Sequence, residues 1–66
     1  MQIKINGEAK NVDAPVSVKQ LTERLALNMT QVAVERNLAI VPRSAYSETM
    51  LSEGDEIEIV HFIGGG

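Results

Sequence analysis

The sequence predicts an α+β domain: a mixed sheet of four to five strands with one main helix across one face, followed by a flexible glycine-rich C-terminal tail. Three observations carry that reading. The two cleanest strand patterns lie near the ends of the chain, an Asn6-Gly7 pair punctuates the first of them, and one stretch with helical spacing follows Ser17.

The N-terminal segment alternates Ile3 and Ile5 with Gln2, Lys4 and Asn6, the period-two pattern of a strand buried on one face. Asn6-Gly7 suits a two-residue hairpin turn, whose positions both need positive φ, so Glu8 to Val12 reads as the returning strand. Asp13-Ala14-Pro15-Val16 breaks the pattern. Ser17 and Gln20 then match a capping box, with Val16 placed to act as a hydrophobic staple. Val18, Leu21 and Leu25 recur at helical spacing, so the helix is expected to pack that stripe on the sheet. It is expected to fade around Leu27, with Asn28 as its C-terminal residue.

Val32 to Arg36 reads as a third strand and Asn37 as a turn; Leu38 to Val41 either extends that strand or returns beside it. Pro42 denies a ladder donor to any central strand, so Pro42 to Tyr46 reads as a short helical turn. Met50-Leu51 forms a small apolar patch before the turn Ser52-Glu53-Gly54-Asp55. Glu56 to Phe62 is the last strand, with Ile57, Ile59 and His61 on one face and Glu56, Glu58, Val60 and Phe62 on the other. With the first and last strands placed centrally, this order of elements is the β-grasp, here residues 1–63, and residues 64–66 form the tail.

Composition narrows the function. A chain of 66 residues is one small domain, and without cysteine it has neither disulfides nor a thiol nucleophile. One histidine, His61, is too little for a structural metal site. The formal net charge is −3, with Lys and Arg scattered singly, and the aromatics are Tyr46 and Phe62 alone. Those features argue against nucleic-acid or anionic-membrane binding. No run approaches the ~18 apolar residues of a membrane span, and Lys4 interrupts any signal-peptide pattern. A cytoplasmic monomer is the expectation.

The candidate working part is the tail. Gly64, Gly65 and Gly66 carry no side-chain chemistry, so they are either a frayed or appended end or a slender stalk for the terminal carboxylate. Four residues, 63–66, span at most about 13–14 Å, enough to carry a carboxylate into a partner's cleft. A carboxylate is a poor acyl donor until it becomes a mixed anhydride such as an acyl-adenylate, and the charge-stabilising groups for that step would belong to the partner. Phe62 and Ile63, just before the stalk, read equally as core residues or as partner anchors. His61 is either a proton shuttle beside the tail or a plain strand residue. Glu53, Asp55 and Glu56 flank a turn glycine and read as solvated. Arg36 and Arg43 lie near a loop, where ion pairs contribute little. No nucleophile–base pair stands out.

These residues resemble a known family. Met1-Gln2-Ile3 with Asn6-Gly7, Val34-Glu35-Arg36-Asn37 followed by Val41-Pro42-Arg43, Gly54-Asp55 before the last strand, and the closing run from Ile59 to Gly66 are similar to the ThiS family, the sulfur carriers of thiamin biosynthesis. The resemblance implies a ubiquitin-like fold and a carrier that is not itself an enzyme. It implies that Gly66 is adenylated and then thiocarboxylated, with Gly65 its companion in the family motif and Gly64 a glycine that some members add. The implied partners are a ubiquitin-activating-like adenylating enzyme, which uses ATP and Mg²⁺, a cysteine desulfurase or other sulfur donor, and thiazole synthase. The chain itself is expected to bind no cofactor. Two alternatives stay open: another β-grasp sulfur carrier, serving molybdopterin synthase or tRNA thiolation, and a ubiquitin-like modifier.

Overall fold

The computed structural model describes residues 1–62. Gln2–Ile5 (β1) and Glu8–Asn11 (β2) form the opening hairpin, Val18–Arg24 is the helix (α1), and Val32–Arg36 (β3), Ala39–Ile40 (β4) and Glu56–His61 (β5) complete the sheet. The strand order is β2-β1-β5-β3-β4. β1 and β5 run parallel while the hairpin pairs and β3–β5 are antiparallel. β5 is therefore the middle strand with β1 beside it, as the two cleanest alternating patterns predicted. Leu38 to Val41 returns rather than extends, with Glu35 opposite Ile40.

One face of the sheet is the core face. Ile3, Ile5, Val32, Val34, Ile57 and Ile59 meet Val16, Val18, Leu21, Val41, Leu51 and Tyr46 in a single cluster. Tyr46 is among the side chains most fully withdrawn from water, so the short turn Arg43–Ala45 serves to bring an aromatic ring into a core otherwise made of aliphatic residues. The sequence showed the turn and missed the ring's role.

The helix begins as expected and ends earlier. Ser17 Oγ accepts from the Gln20 N–H at 3.1 Å, and Gln20 Oε1 accepts from the Ser17 N–H at 2.9 Å, closing the capping box. At the other end the Ala26 N–H donates to Glu23 O and the Leu27 N–H to Thr22 O, a Schellman closure with Ala26 at φ +57°. The expected end near Leu27 with Asn28 as terminator is therefore corrected. Asn28 instead caps the next helical turn, Met29–Gln31, its Oδ1 accepting from the Thr30 N–H at 2.9 Å. Early termination also turns Leu25 partly to solvent, and Thr22 takes a buried place in the helix with Val18 and Leu21.

Alanine in the left-handed region is strained by about 1–2 kcal/mol, partly offset by the extra freedom glycine loses on folding. Ala26→Gly should therefore stabilise the domain by about 0.5–1 kcal/mol and raise the thermal midpoint by about 2–6 °C. An unchanged or lower midpoint by calorimetry would refute this account of the cap.

Both tight turns begin with an asparagine that has a second task. Asn6 (φ +50°) precedes Gly7 (φ +84°) in the first hairpin, and Asn37 (φ +51°) precedes Leu38 (φ +70°) in the second. Each side chain also fastens to β5. Asn6 Oδ1 accepts from the Ile59 N–H and its Nδ2 donates to Ile59 O, at 2.8 and 3.2 Å. Asn37 Oδ1 accepts from the Glu56 N–H at 2.9 Å. The two amides hold the central strand from opposite sides, because a primary amide can copy the donor–acceptor pair of a neighbouring strand.

Candidate functional site

β5 delivers the chain to its terminal residues, so its far end is where the candidate residues gather. The strand ends at His61, one residue sooner than expected, with His61 opposite Val32 and Val60 opposite Ala33. The Phe62 N–H still donates to Gln31 O at 2.9 Å, which ties this end of the chain to the turn before β3. Phe62 is 56% exposed, which removes the core alternative for it. His61 keeps the parity of Ile57 and Ile59 but is exposed. Ile63, Gly64, Gly65 and Gly66 fall outside the described residues, and their expected roles rest on sequence.

The outward face of the sheet follows from register. Glu35 lies directly opposite Glu58, Ala33 opposite Val60 and Ile40 opposite Glu35, so these residues share the face that turns away from α1. Ile40 and Val60 are exposed there, and Leu38 protrudes from the turn at its edge. Alternation in β5 foretold Glu58 and Val60 on this face. Ile40 joined them only through the pairing of β4.

The Asp55 carboxylate overturns the reading of its turn as solvated. Asp55 is buried, Oδ2 accepting from Arg36 Nε at 2.8 Å and from the Ser52 N–H at 2.7 Å, while Oδ1 accepts from Asn37 Nδ2 at 3.1 Å. Burial alone would raise its pKa, but the bond from Ser52, those from Arg36 and Asn37, and the charge of Arg36 outweigh it and hold the carboxyl below its ordinary value. Arg36 is thus more than a surface charge. The cluster joins β3, its turn and the start of β5, and all its acceptors are occupied by the fold. Arg43 Nε donates to Met29 O at 3.0 Å and likewise serves the scaffold.

The chemistry open to the described side chains is correspondingly limited. The hydroxyls of Thr22 and Thr49 donate to the backbone, that of Ser17 accepts in the helix cap, and that of Thr30 is bound to Asn28. Among the described residues no three His, Asp or Glu side chains are grouped to hold a metal ion, and no helix is long and apolar enough to cross a membrane.

The ThiS family model matches residues 3–66, nearly the whole chain and the glycine run with it. The chain belongs to the ThiS family. It is similar to the sulfur carrier protein ThiS of Escherichia coli, with 33% identity over the full length of both chains. Its fold is that of a thiamine biosynthesis protein (ThiS) from Geobacter metallireducens, with a TM-score of 0.86, 32% identity and full coverage of both chains. It is also 48% identical over all its residues to part of a thiazole synthase of Paramagnetospirillum magneticum. The chain spans about a fifth of the length of that relative. The five-stranded sheet with one helix is accordingly the ubiquitin-like β-grasp of this family, as the order of elements predicted.

Proposed function

We propose that this chain is a sulfur carrier for thiazole formation in thiamin biosynthesis and that its chemistry resides in the carboxylate of Gly66. The observation that carries the reading is the family match running through Gly64, Gly65 and Gly66, together with end-to-end similarity to a sulfur carrier. A partner enzyme couples the Gly66 carboxylate to ATP, releasing pyrophosphate and leaving an acyl-adenylate. A sulfur nucleophile then displaces AMP, because a phosphate ester departs from an acyl carbon far more readily than an oxide. A persulfide donor leaves an acyl disulfide, whose S–S bond a thiol must reduce, itself becoming a disulfide, before the carrier bears a free thiocarboxylate that gives its sulfur to thiazole synthase. ATP and Mg²⁺ belong to the adenylating enzyme, and a cysteine desulfurase persulfide or an equivalent donor supplies the sulfur.

The fold supports this reading by what it leaves free. β5 is held centrally through Ile59, and the chain passes beyond it at an exposed Phe62, which together with Ile63 we assign to partner contact. The test is intact mass spectrometry after incubation with the adenylating enzyme, ATP and a sulfur donor. The mass should rise by about 16 Da, the exchange of one oxygen for sulfur. No rise, with partners shown to be active on another carrier, would overturn the reading.

A further inference from the structure

On the side of β1, β5 is held only as far as Ile59. The pairing there covers Lys4 opposite Glu56 and Ile5 opposite Ile57. The Lys4 N–H donates to Asp55 O and the Asn6 N–H to Ile57 O, both at 2.9 Å. The next rung on this side falls at Ile59, but the chain has already turned away at Asn6 (φ +50°) and Gly7 (φ +84°). The Asn6 side chain supplies that rung, accepting from the Ile59 N–H at 2.8 Å and donating to Ile59 O at 3.2 Å. Ile59 is also the last buried side chain among the described residues, since Val60, His61 and Phe62 are exposed. Past Ile59 the described pairing is with the β3 side, His61 lying opposite Val32 and the Phe62 N–H donating to Gln31 O.

We propose that Asn6 is a positioning residue for activation of the tail: its amide fixes the direction in which β5 leaves the domain, and so the place at which the Gly66 carboxylate reaches ATP in the adenylating enzyme. The inference rests on the sulfur-carrier reading. Fully extended, residues 60–66 reach at most about 23–25 Å. At the end of an arm about 20 Å long, a tilt of about 3° at Ile59 is a displacement of about 1 Å, which can cost about a hundredfold in rate. A strand bonded on one side can tilt about that ladder, and a second contact across it at the last buried residue blocks the motion. Asparagine suits the task because its amide offers a donor and an acceptor and tolerates positive φ. Glycine, the better turn residue, offers neither bond. Asn37 makes the comparable contact with the Glu56 N–H, at the start of β5, and so secures the strand without aiming its end.

The test compares Asn6→Gly with Asn37→Gly in pyrophosphate release by the adenylating enzyme, at saturating ATP and varied carrier concentration, well below the melting range of either variant. Glycine accepts the positive φ at both positions, so each variant removes only side-chain bonds. Both should melt lower, by about 2–8 °C, and Asn37→Gly at least as low as Asn6→Gly, because it also loses its bond to Asp55. Asn6→Gly should lose about fivefold or more in kcat with KM within about twofold, since only delivery of the carboxylate suffers. Asn37→Gly should keep both constants. A wild-type kcat for Asn6→Gly overturns the positioning role alone, as does an equal loss in the two variants, which would trace the effect to stability. If Asn6→Gly does not fold, Asn6→Asp decides: it keeps the acceptor for the Ile59 N–H and loses the donor to Ile59 O, so its kcat should also fall, and a wild-type value overturns the proposal. If wild type releases no pyrophosphate with an enzyme active on another carrier, the carrier reading fails and the positioning role with it.

Discussion

Replacing Asp55 by asparagine should destabilise the domain by about 2–4 kcal/mol, although volume and shape barely change. Both carboxylate oxygens accept from donors: Arg36 Nε and the Ser52 N–H on one, Asn37 Nδ2 on the other. An asparagine must turn an NH₂ group toward one of those sets, which leaves donor facing donor and Arg36 without its counter-charge. A 66-residue domain commonly holds about 3–10 kcal/mol in all, so the loss is a large share. The thermal midpoint should fall by about 10–25 °C. A fall of under about 2 °C would show that water satisfies these groups equally well.

The same carboxylate sets a pH dependence. Its folded pKa lies below the ordinary value of 3.8, so its contribution is fully present above that value and is lost as pH falls through the folded one. Wild type should therefore lose its advantage over Asp55→Asn on acidification below about pH 4, and the two denaturation curves should converge. Divergence toward low pH would contradict the sign of the shift.

The second large effect concerns the tail. Removing Gly66 should abolish sulfur acceptance while leaving the thermal midpoint unchanged, because among the described residues the buried core runs from Ile3 to Ile59. Shortening the chain by one residue withdraws the carboxylate by about 3.5 Å. Misplacement by about 1 Å can already cost about a hundredfold in rate, so adenylation should fall by more than that. Pyrophosphate release by the adenylating enzyme measures it. Activation of the shortened chain at the wild-type rate would show that recognition does not depend on reach, and the assignment of Gly66 would fall.

Much of this fold can be read from local patterns, since each rests on interactions only a few residues long. Alternation in 2–5 and 56–61, Asn6-Gly7, and the Ser17/Gln20 box all appear in the structure as the strands, turn and cap they encode. Misreadings occurred where a local signal was weak or had a competitor. Ala26 is an unpromising left-handed residue, so the local pattern points to a helix end around Leu27 with Asn28 as its C-terminal residue, an asparagine that instead starts the following turn. Asp55 sits among turn residues that are ordinarily solvated, and nothing near it in sequence announces Arg36 and Asn37.

The glycine run and the absence of an evident nucleophile were legible without coordinates, because both are properties of composition and order. So was the family, through motifs spread along the whole chain. Tertiary structure alone decided which polar groups meet: Asn6 on Ile59, Asn37 on Glu56, and Arg36 on Asp55 are contacts 53 and 19 residues apart. It alone also set Glu35 opposite Glu58 and brought Ile40 onto the face of Val60. Periodicity assigns a residue to one side of its own strand, whereas a neighbour across the sheet is chosen by register, which depends on how the packed core aligns the strands.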